Sequence, residues 1–314
     1  MDLDFERLKG FVGDPQQRRR ETVKLATIVA QNATKYRSFD RGVGVADREW
    51  DTLLVLDGCR YDLFEAYHTF PGRLRRTRSL GSQSREFLER NFAGSEHHDT
   101  VYISANPFIS VLDNDTFHAV VNLFDEHWDE EALTVRPESV VEATIGIHRK
   151  YPNKRLIVHF MQPHHPFLGE LGKRFAAGAV TGRAVGAEKG IDGPPPIWNR
   201  LDAGDPTIDR RIVWDAYVEN FKLVESHVKE LLDALGGRSV VTSDHGNLFG
   251  ERLWPIPIRR YGHPPGLRHP ALVDVPWHEV PFETRRETVA DPPQSKSDVA
   301  ADVVEQRLAD LGYA

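Results

Sequence analysis

Four short polar clusters in this chain carry residue types that bind cations, attack electrophiles or pair with anions, and each follows an apolar run or opens a helical one. The first is Asp57-Gly58-Cys59-Arg60-Tyr61-Asp62. Its leading carboxylate offers an oxygen ligand, the glycine leaves room for close approach, and Arg60 is a cation for an anionic substrate. A strand-end aspartate also serves as a helix N-cap, so this cluster alone decides nothing. The second, Gly81-Ser82-Gln83-Ser84-Arg85-Glu86, puts Ser84 where an amphipathic stretch begins. A hydroxyl there is either a cap or a nucleophile in the positive field of a helix terminus. The third, Met161-Gln162-Pro163-His164-His165-Pro166-Phe167, brackets two histidines between prolines, whose fixed φ holds them for ligation or anion binding. The fourth, Thr242-Ser243-Asp244-His245-Gly246-Asn247, sets a carboxylate beside an imidazole, with a glycine that turns the backbone away. Tyr261-Gly262-His263-Pro264 follows it closely.

Positioning these clusters is the task of the apolar runs. Residues 51–57, 101–104, 156–161 and 239–244 are short and nearly continuous in apolar side chains, the pattern of parallel strands buried on both faces. Helical spacing marks residues 16–35, 85–91, 137–150 and about 209–235. Alternation of the two predicts an α/β domain with a largely parallel sheet flanked by helices, and ligands bind such sheets beyond the carboxyl ends of the strands. The expected organisation is an amphipathic helix within residues 1–47 packed on the outside, then one catalytic domain over 48–314 ending in a helix at 298–311. Residues 170–207, rich in Gly, Ala and Pro without a period, form a lid or a flexible insertion. The run Arg18-Arg19-Arg20 reads as a solvated helix end or a contact for an anion.

Together the clusters resemble the alkaline phosphatase superfamily, above all its sulfatase-like branch, over about residues 51–277. The closing residues 307–313 are also similar to the tail of many sulfatase-like chains. This resemblance implies an alkaline-phosphatase-like three-layer sandwich. It implies further that Asp57 is the first-strand metal aspartate, that Asp244 and His245 are the metal-binding Asp-His-Gly pair, and that Ser84 is the nucleophile. His164 then matches a histidine that touches the transferred group, with Arg60 and His165 as further substrate contacts. His263 resembles a late histidine that completes a second metal site in two-metal members.

Sulfatases of this superfamily convert the first residue of Cys/Ser-x-Pro/Ala-x-Arg into an aldehyde. Here Gly81 stands four before Arg85, Ser82 only three before it, and Cys59 adjoins the metal aspartate instead. An unmodified serine is therefore expected, with phosphoryl transfer through a phosphoseryl intermediate in a hydrolase or a transferase. A sulfatase, and a non-catalytic relative that binds an anionic glycan, are the alternatives. Asp274 and His278 have the spacing of a second-metal pair but come after the Asp-His-Gly strand, whereas one-metal members such as lipoteichoic acid synthases use a set close to Asp57, Ser84, Asp244 and His245. A mixed oxygen and nitrogen set favours Mn²⁺ or Zn²⁺ over Mg²⁺ or Ca²⁺, with one or two ions.

Composition bounds the partners. The chain has 314 residues, 40% hydrophobic and 28% charged, enough for one large core. With 47 acids against 40 bases and a net charge of −7, it lacks the basic excess that non-specific nucleic-acid binding needs, so the expected partner is a small anionic ester or a phosphorylated or sulfated glycan. Cys59 is the single cysteine, which excludes an intrachain disulfide and any cysteine cage for a metal. No stretch approaches the roughly 20 apolar residues of a membrane span, and the residues after Met1 are acidic where a secretory signal is basic and apolar, so a cytoplasmic location is expected.

Overall fold

The computed structural model describes residues 15–35, 42, 44–175 and 196–294. In chain order its strands are β1 (Thr52–Leu56), β2 (Arg73–Arg78), β3 (His97–Ser104), β4 (Phe117–Asn122), β5 (Trp128–Asp129), β6 (Thr134–Val135), β7 (Arg155–Phe160), β8 (Ser239–Thr242), β9 (Leu248–Arg252), β10 (Arg259–Gly262) and β11 (Asp274–Glu279). Seven of them form one sheet in the order β2-β11-β8-β1-β7-β3-β4. Its middle is parallel, with Thr52 of β1 level with Leu156 of β7 on one side and Ser239 of β8 on the other. Only β11 runs against the rest, between β8 and β2.

The central strand shows why its sequence is apolar throughout. Leu54 and Leu56 of β1 face a cluster with Phe64, Val140 and Phe221, while Leu53 and Val55 face another with Phe87, Phe92 and Tyr102. Covering both faces hides the whole strand, and each such side chain contributes about 1.5–3 kcal/mol relative to exposure. The helices that do the covering are α2 (Tyr61–Tyr67), α5 (Pro137–Lys150) and α7 (Arg210–Ala234) on the first face, and α3 (Ser84–Phe92) on the second. The result is a sheet between two helical layers, the α/β class expected from the sequence. A four-residue helix α4 (Leu123–Glu126) follows β4.

The N-terminal helix α1 (Pro15–Lys35) packs through Ala26 and Ala30 against Leu248, Leu253 and Leu272, and buries Val23 as well. Leu25 and Ile28, which the helical spacing assigns to the same stripe, lie outside it and are 60% and 52% exposed. In the arginine run, Arg19 donates from Nε to the Asp202 carbonyl at 2.9 Å. The aperiodic segment contains a short helix the sequence reading omits, α6 (Ile197–Ala203), which buries Trp198 and Leu201. Residues 176–195, and the helix expected at 298–311, lie outside the described residues. One more short helix, α8 (Pro270–Val273), leads into β11. Among the described residues no helix is long and apolar enough to cross a membrane.

Candidate active site

The parallel strands deliver the polar clusters to one edge of the sheet. Asp57 follows β1, Asn106 follows β3, His164 follows β7, and Asp244 with His245 follows β8, while Ser84 is the first residue of α3. Asp57, Ser84, Asp244 and His245 are all fully buried, and His164 is 2% exposed.

Two backbone features let these residues meet. Gly58 takes φ +64°, so the chain turns at once after Asp57 and its N–H donates to Asp244 Oδ1 at 3.0 Å. A Cβ at 58 would stand 3.3 Å from the His164 ring. From the helical layer, Tyr217 of α7 donates its hydroxyl to the Gly58 carbonyl and accepts the Arg60 N–H at 3.0 Å. One turn on, the Asn220 amide donates to the carbonyls of Pro163, His164 and Pro166 at 3.0–3.3 Å. A single helix thus holds the loops that follow β1 and β7.

Around the carboxylates the distances fall in a narrow band. Ser84 Oγ is 3.3 Å from His245 Nε2 and 3.5 Å from Asp57 Oδ2. His245 Nε2 is 3.4 Å from Asp57 Oδ1 and 3.5 Å from Asp244 Oδ2. His159 Nε2, on β7, is 3.6 Å from Asp244 Oδ2. These spacings are long for hydrogen bonds, but two donors each about 2.1 Å from a tetrahedral ion lie about 3.4 Å apart. Asp57 Oδ1, Asp244 Oδ2 and His159 Nε2 are buried and have no hydrogen-bond partner among the described residues. Ligating atoms of Asp57, His159 and Asp244 all lie within 4.8 Å of one another. Orphaned buried acceptors of this kind are costly unless a cation meets them, so the donor set fits a divalent metal ion.

Hydrogen bonds outside this group aim its members. Asn106 Nδ2 donates to Asp57 Oδ2 at 2.7 Å. His245 Nδ1 lies 2.7 Å from the Gly246 carbonyl, which fixes a proton on Nδ1 and turns Nε2 toward the carboxylates. Burial disfavours a charged His245, yet Asp244 and Asp57 outweigh that and push its pKa up to about 9. Burial would also raise the Asp244 carboxyl, but the imidazoles of His245 and His159 and the Gly58 N–H hold it below the ordinary carboxylate range.

Beside this group stands a second pair. His164 Nε2 and His263 Nε2 are 2.9 Å apart, and the His263 ring lies 4.8 Å from that of His245. His164 Nδ1 donates to the His165 carbonyl, so its Nε2 accepts and His263 supplies the proton. Burial keeps both rings below the usual histidine range; for His263 the neighbouring His245 and His164 add to it. Both are neutral at pH 7.

Other sequence candidates take different places. All three Arg60 nitrogens are engaged: Nε and Nη2 with Asp62, Nη1 with Glu251 and the Asn247 carbonyl. Burial would lower its pKa, but Asp62 and Glu251 raise it instead. Arg60 therefore braces β9 against the Asp57 loop, in place of the substrate contact expected of it. The His165 ring packs edge-on to Phe167 at 5.3 Å, and burial together with His164 lowers its pKa to about 3, so it carries no charge for an anion. Ser82 is tied by its N–H and Oγ to Glu86 and by Oγ to the Pro264 carbonyl, which leaves Ser84 as the serine facing the carboxylates. Asp274 joins Arg78, and His278 contacts the Pro71 carbonyl, so neither completes a second site. Sequence reasoning missed His159 and Asn106. His159 is hidden in an apolar run, and only its period-two position facing α3 sets it apart; Asn106 sits two residues beyond a strand end, a position open to the same reading as Asp57.

No protein-family model matches this chain, and no curated protein matches it. Among solved structures, the soluble domain of lipooligosaccharide phosphoethanolamine transferase A from Neisseria meningitidis is similar at 13% identity and a TM-score of 0.43, over 73% of this chain and 75% of that one. A 2-O glycosaminoglycan sulfatase is similar at 13% identity and 0.45, over 77% and 65%. A protein in the alkaline phosphatase superfamily from Vibrio parahaemolyticus is similar at 11% identity and 0.38, over 92% and 75%.

Proposed function

We propose that this chain is a metal-dependent phosphate-ester hydrolase or phosphotransferase in which Ser84 is the nucleophile. One observation carries the reading: the buried Ser84 hydroxyl, at a helix N-terminus, stands within 3.5 Å of Asp57 and His245 where buried acceptor atoms lack partners. Asp57, Asp244 and His245 would hold the ion, and their mixed oxygen and nitrogen donors suit Zn²⁺ or Mn²⁺. A divalent cation there supplies neutralisation of phosphate charge and a lower pKa for a neighbouring hydroxyl.

The protein's own groups do the remaining work. Asn106 and Gly58 orient the two carboxylates, and the N-terminus of α3 adds positive field at the serine. Ser84 Oγ attacks phosphorus as the ester oxygen departs in line, giving phosphoserine, and water or an acceptor alcohol then takes the phosphoryl group. A non-bridging oxygen entering beside the neutral His164–His263 pair would take the His263 Nε2–H in place of His164 Nε2. The substrate class is a small anionic ester or a phosphorylated glycan.

Aryl phosphate, aryl phosphodiester and aryl sulfate should be assayed side by side on wild type and Ser84→Ala, with Zn²⁺, Mn²⁺ or chelator. Phosphate-ester turnover is expected to need the metal and to fall on the order of 10³-fold or more in the variant. Undiminished turnover by Ser84→Ala, or a wild type that prefers the sulfate, overturns the proposal.

A further inference from the structure

The interior of β7 holds a histidine where its neighbours are apolar. His159 is fully buried, level with Val55 of β1 and Ser104 of β3, on the same side of the strand as Ile157 and so under α3. Its Nδ1 is 2.9 Å from the Tyr102 hydroxyl, and its ring meets Phe87 edge-on. Its Nε2 has no hydrogen-bond partner among the described residues, although Asp244 Oδ2 lies 3.6 Å away. As packing, this is a poor choice: a buried imidazole nitrogen without a partner forfeits the hydrogen bond it makes in water, a loss that a leucine or valine at the same position avoids.

We propose that His159 is a further protein ligand to the cation read into this site, bound through Nε2 and held in place by Tyr102. The inference rests on the metal-site reading above and extends it. It accounts for the orphaned nitrogen, for its ligand-like spacing from Asp244, and for the tyrosine that grips the opposite edge of the ring. The site then has one imidazole from the loop after β8 and one from the floor of the sheet. Coordination at Nε2 places the remaining ring proton on Nδ1, which donates to the Tyr102 oxygen. Without an ion the bond reverses: the phenol donates to Nδ1, and Nε2–H points toward Asp244. Tyr102 is a positioning residue in this scheme, since it reaches the ion only through His159.

The test uses the full chain labelled with ¹⁵N-histidine and loaded with ¹¹³Cd²⁺, read by nitrogen–cadmium coupling. Two coupled histidine Nε2 atoms are expected. One of them should disappear in His159→Gln and shift in Tyr102→Phe, and His159→Gln should bind the ion at least about tenfold more weakly in chelator competition. One coupled histidine in the wild type overturns the inference, as do two that ignore Tyr102→Phe, or wild-type affinity in a folded His159→Gln. Because the wild-type count and the Tyr102→Phe shift need no substitution at 159, the result stands even if His159→Gln does not fold. A wild type that takes up no cation removes the metal-site reading itself, an outcome separate from any of these.

Discussion

Loading this site with a divalent cation is expected to release close to one proton per ion at pH 7, and the proton comes from His245. Although burial disfavours the charged ring, Asp244 and Asp57 push its pKa up to about 9, against 6.5 for an ordinary histidine. Nε2 must shed that proton before it can bind an ion. Between pH 9 and pH 7 the competition weakens apparent affinity about 100-fold, or about 3 kcal/mol. Asp244, held below the carboxylate range, is already ionised, and His164 and His263 are held neutral, so these three add nothing to the count. In the stripped protein the same proton stabilises the fold by about 3 kcal/mol; because the folded pKa is the raised one, this is fully present below pH 6.5 and lost as pH rises through about 9. Calorimetric titration of Mn²⁺ into the chelator-stripped chain, in buffers of different ionisation enthalpy, counts the protons. Affinity should rise tenfold per pH unit up to about pH 9 and then level off. An affinity flat across that range, or proton release undiminished in His245→Gln, refutes the reasoning.

Three further outcomes follow from the same geometry. Ser82→Ala loses the hydroxyl's ties to Glu86 and Pro264 and should cost about 1–3 kcal/mol in denaturant unfolding, with turnover per folded molecule within a few-fold of wild type; loss of turnover comparable to Ser84→Ala would make Ser82 the nucleophile. Gly58→Ala forces a side chain into φ +64°, about 1–2 kcal/mol, and presses on His164, so both melting temperature and turnover should drop, and an unchanged melting temperature contradicts the strained turn. Asn220→Ala frees three carbonyls of the His164 loop and should lower kcat/KM about tenfold with metal affinity nearly unchanged; equal losses in both would show that the loop supports the metal site directly.

The legible parts of the sequence were those where one physical demand dominates. β1, β7 and β8 are buried on both faces, so their apolar runs could only be central strands, and the residues that end them had to gather at one edge of the sheet. That is how Asp57, His164, Asp244 and His245 could be placed together before any coordinates. β2 was illegible because it is an edge strand of Arg73, Arg75, Arg76 and Arg78, whose charges reach solvent or acids on β11 and show no apolar alternation. β11 was hidden by Pro276, which reads as a strand breaker, yet its carbonyl accepts the Thr242 hydroxyl from the neighbouring strand. Arg60 misled for a different reason: an arginine beside a metal aspartate signals an anion site, and only the fold shows that Asp62 and Glu251 consume its charge. Ser82 and Ser84 could not be separated by sequence, since they stand two residues apart where the helix begins and only the partners of each hydroxyl distinguish them.

Tyr217 and Asn220 stand one turn apart on one face of α7, the first gripping the loop of Asp57 and the second that of His164. Kinematically, the two loops share a single carrier. Sliding or breathing of α7 moves both by similar amounts and leaves their spacing intact, whereas twist between positions 217 and 220 drives them apart. A one-residue deletion upstream of Tyr217 turns both grips by about 100° together, while one between them destroys their common face. Drift in this chain is therefore cheap along the helix axis and dear in its phase, because the three-residue interval keeps both grips on one face.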